Sequence, residues 1–264
     1  MTESENSTES ANSTESENSA VEDARTHELR GNLERLRERL SAAENDRHVG
    51  TGPVDLIAVT KFFPAQDVQR LLDVGVRDVG ENRDQEAAEK ARSVPDATWH
   101  FIGQLQSKKS TSVVRYASRV HSVDRMSLVT ALGKAVRNHR AAVAEGQAQG
   151  GPCTEGDLDC LVQVSLDDSE GRGGVRPVDL AALADAVAAE EGLRLGGVMA
   201  VAPLGSAPEP AFERLHGYAQ QLREQHPSAT QISAGMSADL EAAVRWGSTH
   251  VRVGSGILGA RPVG

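Results

Sequence analysis

Of the five lysines in this chain, at positions 61, 90, 108, 109 and 134, only Lys61 directly ends an apolar run, VDLIAVT at 54–60, and Phe62 and Phe63 follow it. Held at a strand end beside apolar groups, a lysine loses hydration of its charge. Desolvation then favours the neutral amine, which is a nucleophile toward aldehydes and ketones. The same residue also reads as a lysine snorkelling at a sheet rim, stem buried and head wet. Near the other end of the chain stand two clusters of small residues, Ser233-Ala234-Gly235-Met236-Ser237 and Gly254-Ser255-Gly256, each just after an apolar run. Glycine lets a backbone come close to an anion, hydroxyls add donors, and a helix start adds partial positive charge. Either cluster alone is also an ordinary turn. Between them Arg252, flanked by Val251 and Val253, sits within an apolar run, where a cation needs compensation. Strand alternation turns it away from both valines, either toward a site or into a structural ion pair.

The elements that position these residues alternate with regularity. Apolar runs at 54–60, 76–80, 99–103, 119–124, 157–166, 193–202, 230–235 and 249–256 are separated by stretches of helical periodicity, such as PAQDVQRLLDVG after the first and PVDLAALADAVAAEE after the fifth. Strand-then-helix order implies parallel strands, because each return needs a crossover. Eight units with about 240 ordered residues fit a (β/α)8 TIM-type barrel, with a doubly wound open sheet as the alternative. An additional amphipathic helix precedes the first strand, with Leu29, Leu33, Leu36 and Leu40 on one face. In such barrels the site lies at the C-terminal ends of the strands, and phosphate is often held by the loops after strands seven and eight. Lys61 follows strand one and the two small-residue clusters follow strands seven and eight. An amine at one side and an anion cradle at the other suit a phosphorylated aldehyde, for which pyridoxal 5′-phosphate is the candidate.

Composition bounds the partners. The 264 residues are 39% hydrophobic and 3% aromatic, and five of the ten net negative charges lie in the first twenty residues. A mildly acidic body with few rings argues against nucleic acid as the main partner. No apolar run approaches the roughly 20 residues that span a bilayer, and no basic-then-apolar leader is visible, so a cytoplasmic protein is expected. Cys153 and Cys160, seven apart, match no metal or redox pair, and read as a loop thiol and a strand thiol. Residues 1–20 repeat a polar hexapeptide, TESENS, and are expected to be disordered, leaving 21–264 as the folded domain. The Gly-, Gln- and Ala-rich stretch from 145 to 155 reads as an insertion.

Taken together, IAVTK at 57–61, DVGEN at 78–82, WHFIGQLQSKK at 99–109, HSVD at 121–124, VMAVAP at 198–203 and ISAGMSADLEAAVRWGSTHVRVGSGILGAR at 232–261 closely resemble the pyridoxal phosphate homeostasis protein family (YggS/PROSC type). The resemblance runs in order from the first helix to Arg261. It implies a single fold-type III barrel with pyridoxal 5′-phosphate held as a Schiff base on Lys61. It also implies a phosphate near Ser233, Gly235, Met236, Gly254 and Ser255, Arg252 near the ring nitrogen or the phosphate, and Asn82 nearby. A monomer that buffers the cofactor or delivers it to apo-enzymes, without robust catalysis, is the function implied. Members often carry Tyr where this chain has Arg83, and the order at 233–235 is Ser-Ala-Gly here rather than Ser-Met-Gly. A fold-type III racemase or decarboxylase is the second reading. It needs an acid/base group opposite the lysine, usually supplied with an extra β-domain, and about ten residues follow the last strand. A cofactor-free Schiff-base aldolase, with the cradle holding a sugar phosphate, is the third. An arginine at the ring nitrogen would keep the ring unprotonated and a poor electron sink, which favours holding over catalysis.

Overall fold

The structure, a computed structural model, describes residues 8–50, 52–167 and 173–260. A long helix, α1 (Thr8–Asn45), leads into alternating strands and helices: β1 (Asp55–Val59), α2 (Ala65–Asp73), β2 (Asp78–Glu81), α3 (Asp84–Ser93), β3 (Thr98–Phe101), α4 (Ser110–Val113), β4 (Ala117–Val123), α5 (Met126–Ala144) and α6 (Pro152–Glu155). The second half continues with β5 (Leu158–Gln163), α7 (Leu180–Ala189), β6 (Leu193–Met199), α8 (Glu209–Gln225), β7 (Gln231–Ser233), α9 (Leu240–Arg245), β8 (His250–Val253) and α10 (Ser255–Leu258). Each strand pairs in parallel with the next, and β8 pairs with β1 with Ile57 opposite Arg252, so the sheet closes into a barrel. The eight strands fall where the apolar runs place them. Among the described residues no helix is long and apolar enough to cross a membrane.

Alternation divides every strand between two environments. Outward residues such as Ala58, Val79, Phe101, Val120 and Val251 pack against helical side chains such as Val68, Leu71 and Leu128 in one continuous buried cluster. Inward residues fill the barrel, and there the chain departs from the branched aliphatics usual in this fold. Asp78, His100, Arg119, His121, Asp159, Ser233, His250 and Arg252 form a polar interior.

Three expectations change. Helix α1 begins at Thr8, inside the repeat expected to be disordered. Once a helix is nucleated by its packed part, each further residue adds a hydrogen bond without a new nucleus, which extends α1 into the repeat although Ser, Thr and Asn outnumber its Glu. Residues 1–7 lie outside the described residues. The helix expected after β3 contracts to a turn of 3₁₀ helix at Ser107–Lys109 followed by the four residues of α4, a stretch crowded with Ser and β-branched residues that disfavour helix. Cys153, expected in a loop, lies on α6 and is buried, its Sγ 3.7 Å from the Ala117 carbonyl. The stretch 145–155 thus packs against the barrel through Cys153. Burial pushes the Cys153 thiol up to about 12 and the Cys160 thiol well above its usual range, so neither is poised for thiolate chemistry.

Candidate functional site

The inward register of β1 carries through its end. Ile57 and Val59 face the barrel, and two residues beyond Val59 the Lys61 side chain joins Val59 in lining a cavity of about 330 Å³ at the barrel mouth. The intervening Thr60 faces outward and is fully buried, its hydroxyl donating to Glu81 Oε1 over 2.7 Å. Lys61 makes no hydrogen bond or ion pair among the described residues. Phe62, next in the chain, adopts φ +73°, and its exposed ring lies 5.3 Å beneath the Arg83 guanidinium. Arg83 therefore caps the entrance wall through a cation–π contact.

The opposite wall comes from the turns after β7 and β8. Gly235 has φ +90°, and a Cβ there would meet the Ala243 Cβ at 2.7 Å, so only glycine allows this turn to lie on α9. The turn is tied down by the Arg252 N–H donating to the Gly235 carbonyl (2.9 Å) and by the Met236 N–H donating to Asp239 Oδ1 (2.6 Å). Ser237 Oγ joins the two turns, accepting from the Gly256 N–H at 3.3 Å and lying 3.4 Å from Ser255 Oγ. Helix α1 buttresses both from behind. Arg39 donates to the Ser237 carbonyl and pairs with Glu241 on α9, while Asn32 and Arg25 donate to the carbonyls of Ile257 and Leu258 on α10.

Arg252 is the cation of the cavity, 4% exposed. It donates to Ser233 Oγ at 2.6 Å and to the Ala200 carbonyl at 2.9 Å. The other N–H bonds of its five have no partner among the described residues. Burial pulls its pKa down to about 10, which leaves it charged at neutral pH. From Ser233 a column of hydrogen bonds descends through the barrel: Ser233 Oγ to His121 Nδ1 (2.9 Å), His121 Nε2 to His100 Nδ1 (3.0 Å), and His100 Nε2 to Asp78 Oδ1 (2.8 Å). The Asp78 end and the desolvation of both rings fix its direction, because a carboxylate only accepts and a neutral imidazole donates from one nitrogen and accepts at the other. Asp78 therefore accepts from His100, His100 Nδ1 accepts from His121, and His121 Nδ1 accepts from the Ser233 hydroxyl, whose oxygen accepts from Arg252. Both imidazoles are neutral in this arrangement. Desolvation by burial, the largest cause, lowers the pKa of each, that of His121 strongly.

Five of the eight residues singled out in the sequence meet at this cavity: Lys61, Met236, Arg252, Gly254 and Ser255. Three do not line it. Ser233 lies inside β7, fully buried, with its hydroxyl committed to Arg252 and His121. Gly235 shapes the turn, and Asn82, after β2, has a buried Oδ1 without a partner among the described residues. Ser237, the last residue of the first small-residue cluster, and Ala238, which was not singled out, also line the cavity. Ala238 follows from the signal already in hand, since it is the next small residue after that cluster.

This geometry can be set beside known proteins. The model of the family described as "Alanine racemase, N-terminal domain" matches residues 27–262. The pyridoxal phosphate homeostasis protein of Corynebacterium glutamicum is 43% identical over 228 residues, which is 86% of this chain and all of that protein. The chain belongs to the pyridoxal phosphate homeostasis protein family. The Escherichia coli K12 family member is 35% identical over 242 residues, covering 87% of this chain and 95% of that one. In three dimensions the chain is similar to PipY of Synechococcus elongatus PCC7942, solved with PLP bound, with a TM-score of 0.71 at 30% identity over 87% of this chain and 99% of PipY. The fold expected from the strand count is thus also that of its relatives.

Proposed function

We propose that this chain holds pyridoxal 5′-phosphate in the cavity at the barrel mouth and hands it on intact, to apo-enzymes that require it, without turning over amino acids. The cavity fits such a ligand. Its volume of about 330 Å³ is within the range of small-molecule sites, roughly 300–1,000 Å³. It presents an unpaired amine on one side, and on the other a buried cation with spare donors beside small-residue turns. Bound there, the cofactor supplies an aldehyde that a lysine amine can hold reversibly. Lys61 would engage that aldehyde, while Arg252, Ser237, Gly254 and Ser255 would hold the anionic phosphate through charge-assisted bonds. The observation that carries the non-catalytic reading is the chemistry of the wall. Among the described residues lining it, Lys61 and Arg252 are the two ionisable groups, and no carboxyl, imidazole, phenol or thiol stands opposite the lysine. Racemisation needs a second acid/base, and a guanidinium charged at neutral pH does not fill that place.

The test begins with borohydride reduction of the loaded protein and peptide mapping. The pyridoxyl label is expected on the peptide containing Lys61, and a label spread over Lys90, Lys108, Lys109 or Lys134 would remove the assignment. The loaded protein should reactivate an apo-enzyme while leaving alanine, lysine and ornithine unchanged. Turnover of about 1–1,000 per second, abolished by Lys61→Ala, would establish an enzyme instead.

A further inference from the structure

Lys61 is flanked on both sides by backbone that a second lysine holds. Lys90, on α3 and 6% exposed, uses all three of its donors: to the Thr60 carbonyl at 2.9 Å, to Glu81 Oε1 at 2.7 Å and to Glu86 Oε1 at 2.6 Å. Glu81 also accepts the Thr60 hydroxyl, and Glu86 also accepts the Phe62 N–H at 2.9 Å. Residues 60 and 62 are thus fixed by one buried cluster, and residue 61 between them carries the free amine. Phe62 is the one non-glycine residue with positive φ among those described. A bulky side chain there is strained, and such a conformation persists only where the surroundings over-determine it. Relaxation of Phe62 would rotate the peptide that joins it to Lys61 and alter the direction in which Lys61 leaves the strand. Glu86 and Lys90 are four apart on one helix, so a single turn of α3 supplies both halves of the clamp.

We propose that Lys90, acting with Glu81 and Glu86, is a positioning residue that aims Lys61 at the aldehyde-binding point of the cavity. The inference rests on the reading of Lys61 given above. It also accounts for why the cluster's own lysine is not the nucleophile, since its three donors are spent.

The experiment compares two ligands on the full-length protein: pyridoxal 5′-phosphate, and pyridoxine 5′-phosphate, which has an alcohol in place of the aldehyde and cannot bond to a lysine. Affinities are measured by calorimetry for wild type, Lys90→Met, Glu86→Ala and Glu86→Gln. Wild type should bind the aldehyde more tightly than the alcohol. Lys90→Met and Glu86→Ala should weaken the aldehyde by about tenfold, the scale of one lost hydrogen bond, and leave the alcohol within about twofold. Glu86→Gln, whose amide oxygen still accepts the Phe62 N–H, should restore most of the loss. Should Lys90→Met fail to fold, Glu86→Ala decides, because Glu86 is partly exposed. Unchanged aldehyde affinity in Glu86→Ala, or equal losses for both ligands, overturns the clamp. Wild type binding both ligands equally would remove the reading of Lys61 itself, and the clamp with it.

Discussion

Acid should destabilise this protein through its buried histidines. His100, His121 and His250 are buried and neutral, and desolvation lowers the pKa of each, that of His250 to about 3. Arg119 donates to His250 Nε2 at 2.8 Å, which enforces the neutral form there as the column does for the other two. Unfolded, each would titrate near 6.5. The sign follows: below 6.5 the unfolded chain binds protons that the folded chain refuses, so the contribution is complete above that pH and is lost as pH falls. A group costs about 1.4 kcal/mol per pH unit between its two pKa values, so His250 alone gives about 1.4 kcal/mol between pH 6 and 5, and His100 and His121 act in the same direction. His139 and His216, also lowered by burial, add to it. Asp78, Glu86 and Glu241 are held below their usual values, so they act only at lower pH. Urea unfolding of cofactor-free protein, followed by far-UV circular dichroism at pH 7.5, 6.0 and 5.0, measures the slope. His250→Gln should reduce it by one group's share. No loss of stability between pH 6 and 5, or a slope that His250→Gln leaves unchanged, would refute the assignment of neutral histidines.

The two serines should separate by ligand. Ser255→Ala should weaken pyridoxal 5′-phosphate by about tenfold, the scale of a hydrogen bond to a charged group, and leave unphosphorylated pyridoxal unchanged; Ser233→Ala should instead lower stability by about 2–4 kcal/mol, because it strands donors and acceptors on Arg252 and His121, and should affect both ligands alike. Deleting residues 1–20 should leave ligand affinity and the thermal midpoint unchanged, since among the described residues the contacts of α1 with the cavity turns start at Arg25. Precipitation or lost binding in the truncated protein would show that the tail packs on the barrel.

The fold was legible because period-two and helical runs alternate along the chain, and parallel pairing leaves few ways to connect eight such units. Lys61 and the loop residues were legible for the same reason, as positions just past strand ends. What the sequence concealed was the destination of side chains. Ser233 belongs to a serine-rich turn in the sequence, yet it is the last residue of β7, and alternation turns its hydroxyl inward to His121. The histidines at 100 and 121 stand twenty-one residues apart, and the parallel pairing of β3 with β4, with both side chains turned inward, brings their ring nitrogens to 3.0 Å. Lys90 and Glu86 look like a helical ion pair in the sequence, and nothing local tells that their partner is the backbone on either side of Lys61. Cys153 lies in a stretch whose glycines suggested a surface loop, but the anchoring of α6 against β4 buries it.

The polar column has a cost that bears on its purpose. A barrel interior of packed aliphatics would be at least as stable, since buried charges rarely repay their desolvation. Arg252 is what such an interior could not hold, because a buried guanidinium needs acceptors, and the column supplies one that is itself supported. Each member donates toward Asp78 and accepts from the side of Arg252, so every dipole presents its negative end to the cation and its positive end to the carboxylate. Reversal would place two acceptors together at His100 and Asp78 unless the imidazole were protonated, and burial opposes that. The column therefore stabilises opposite charges at the two ends of the barrel, one on the face away from the cavity and one in the cavity wall. It keeps Arg252 charged and aimed while no neutral member of the column is itself placed in that wall. A fixed cation paired through neutral groups to a distant carboxylate suits the grip of an anion.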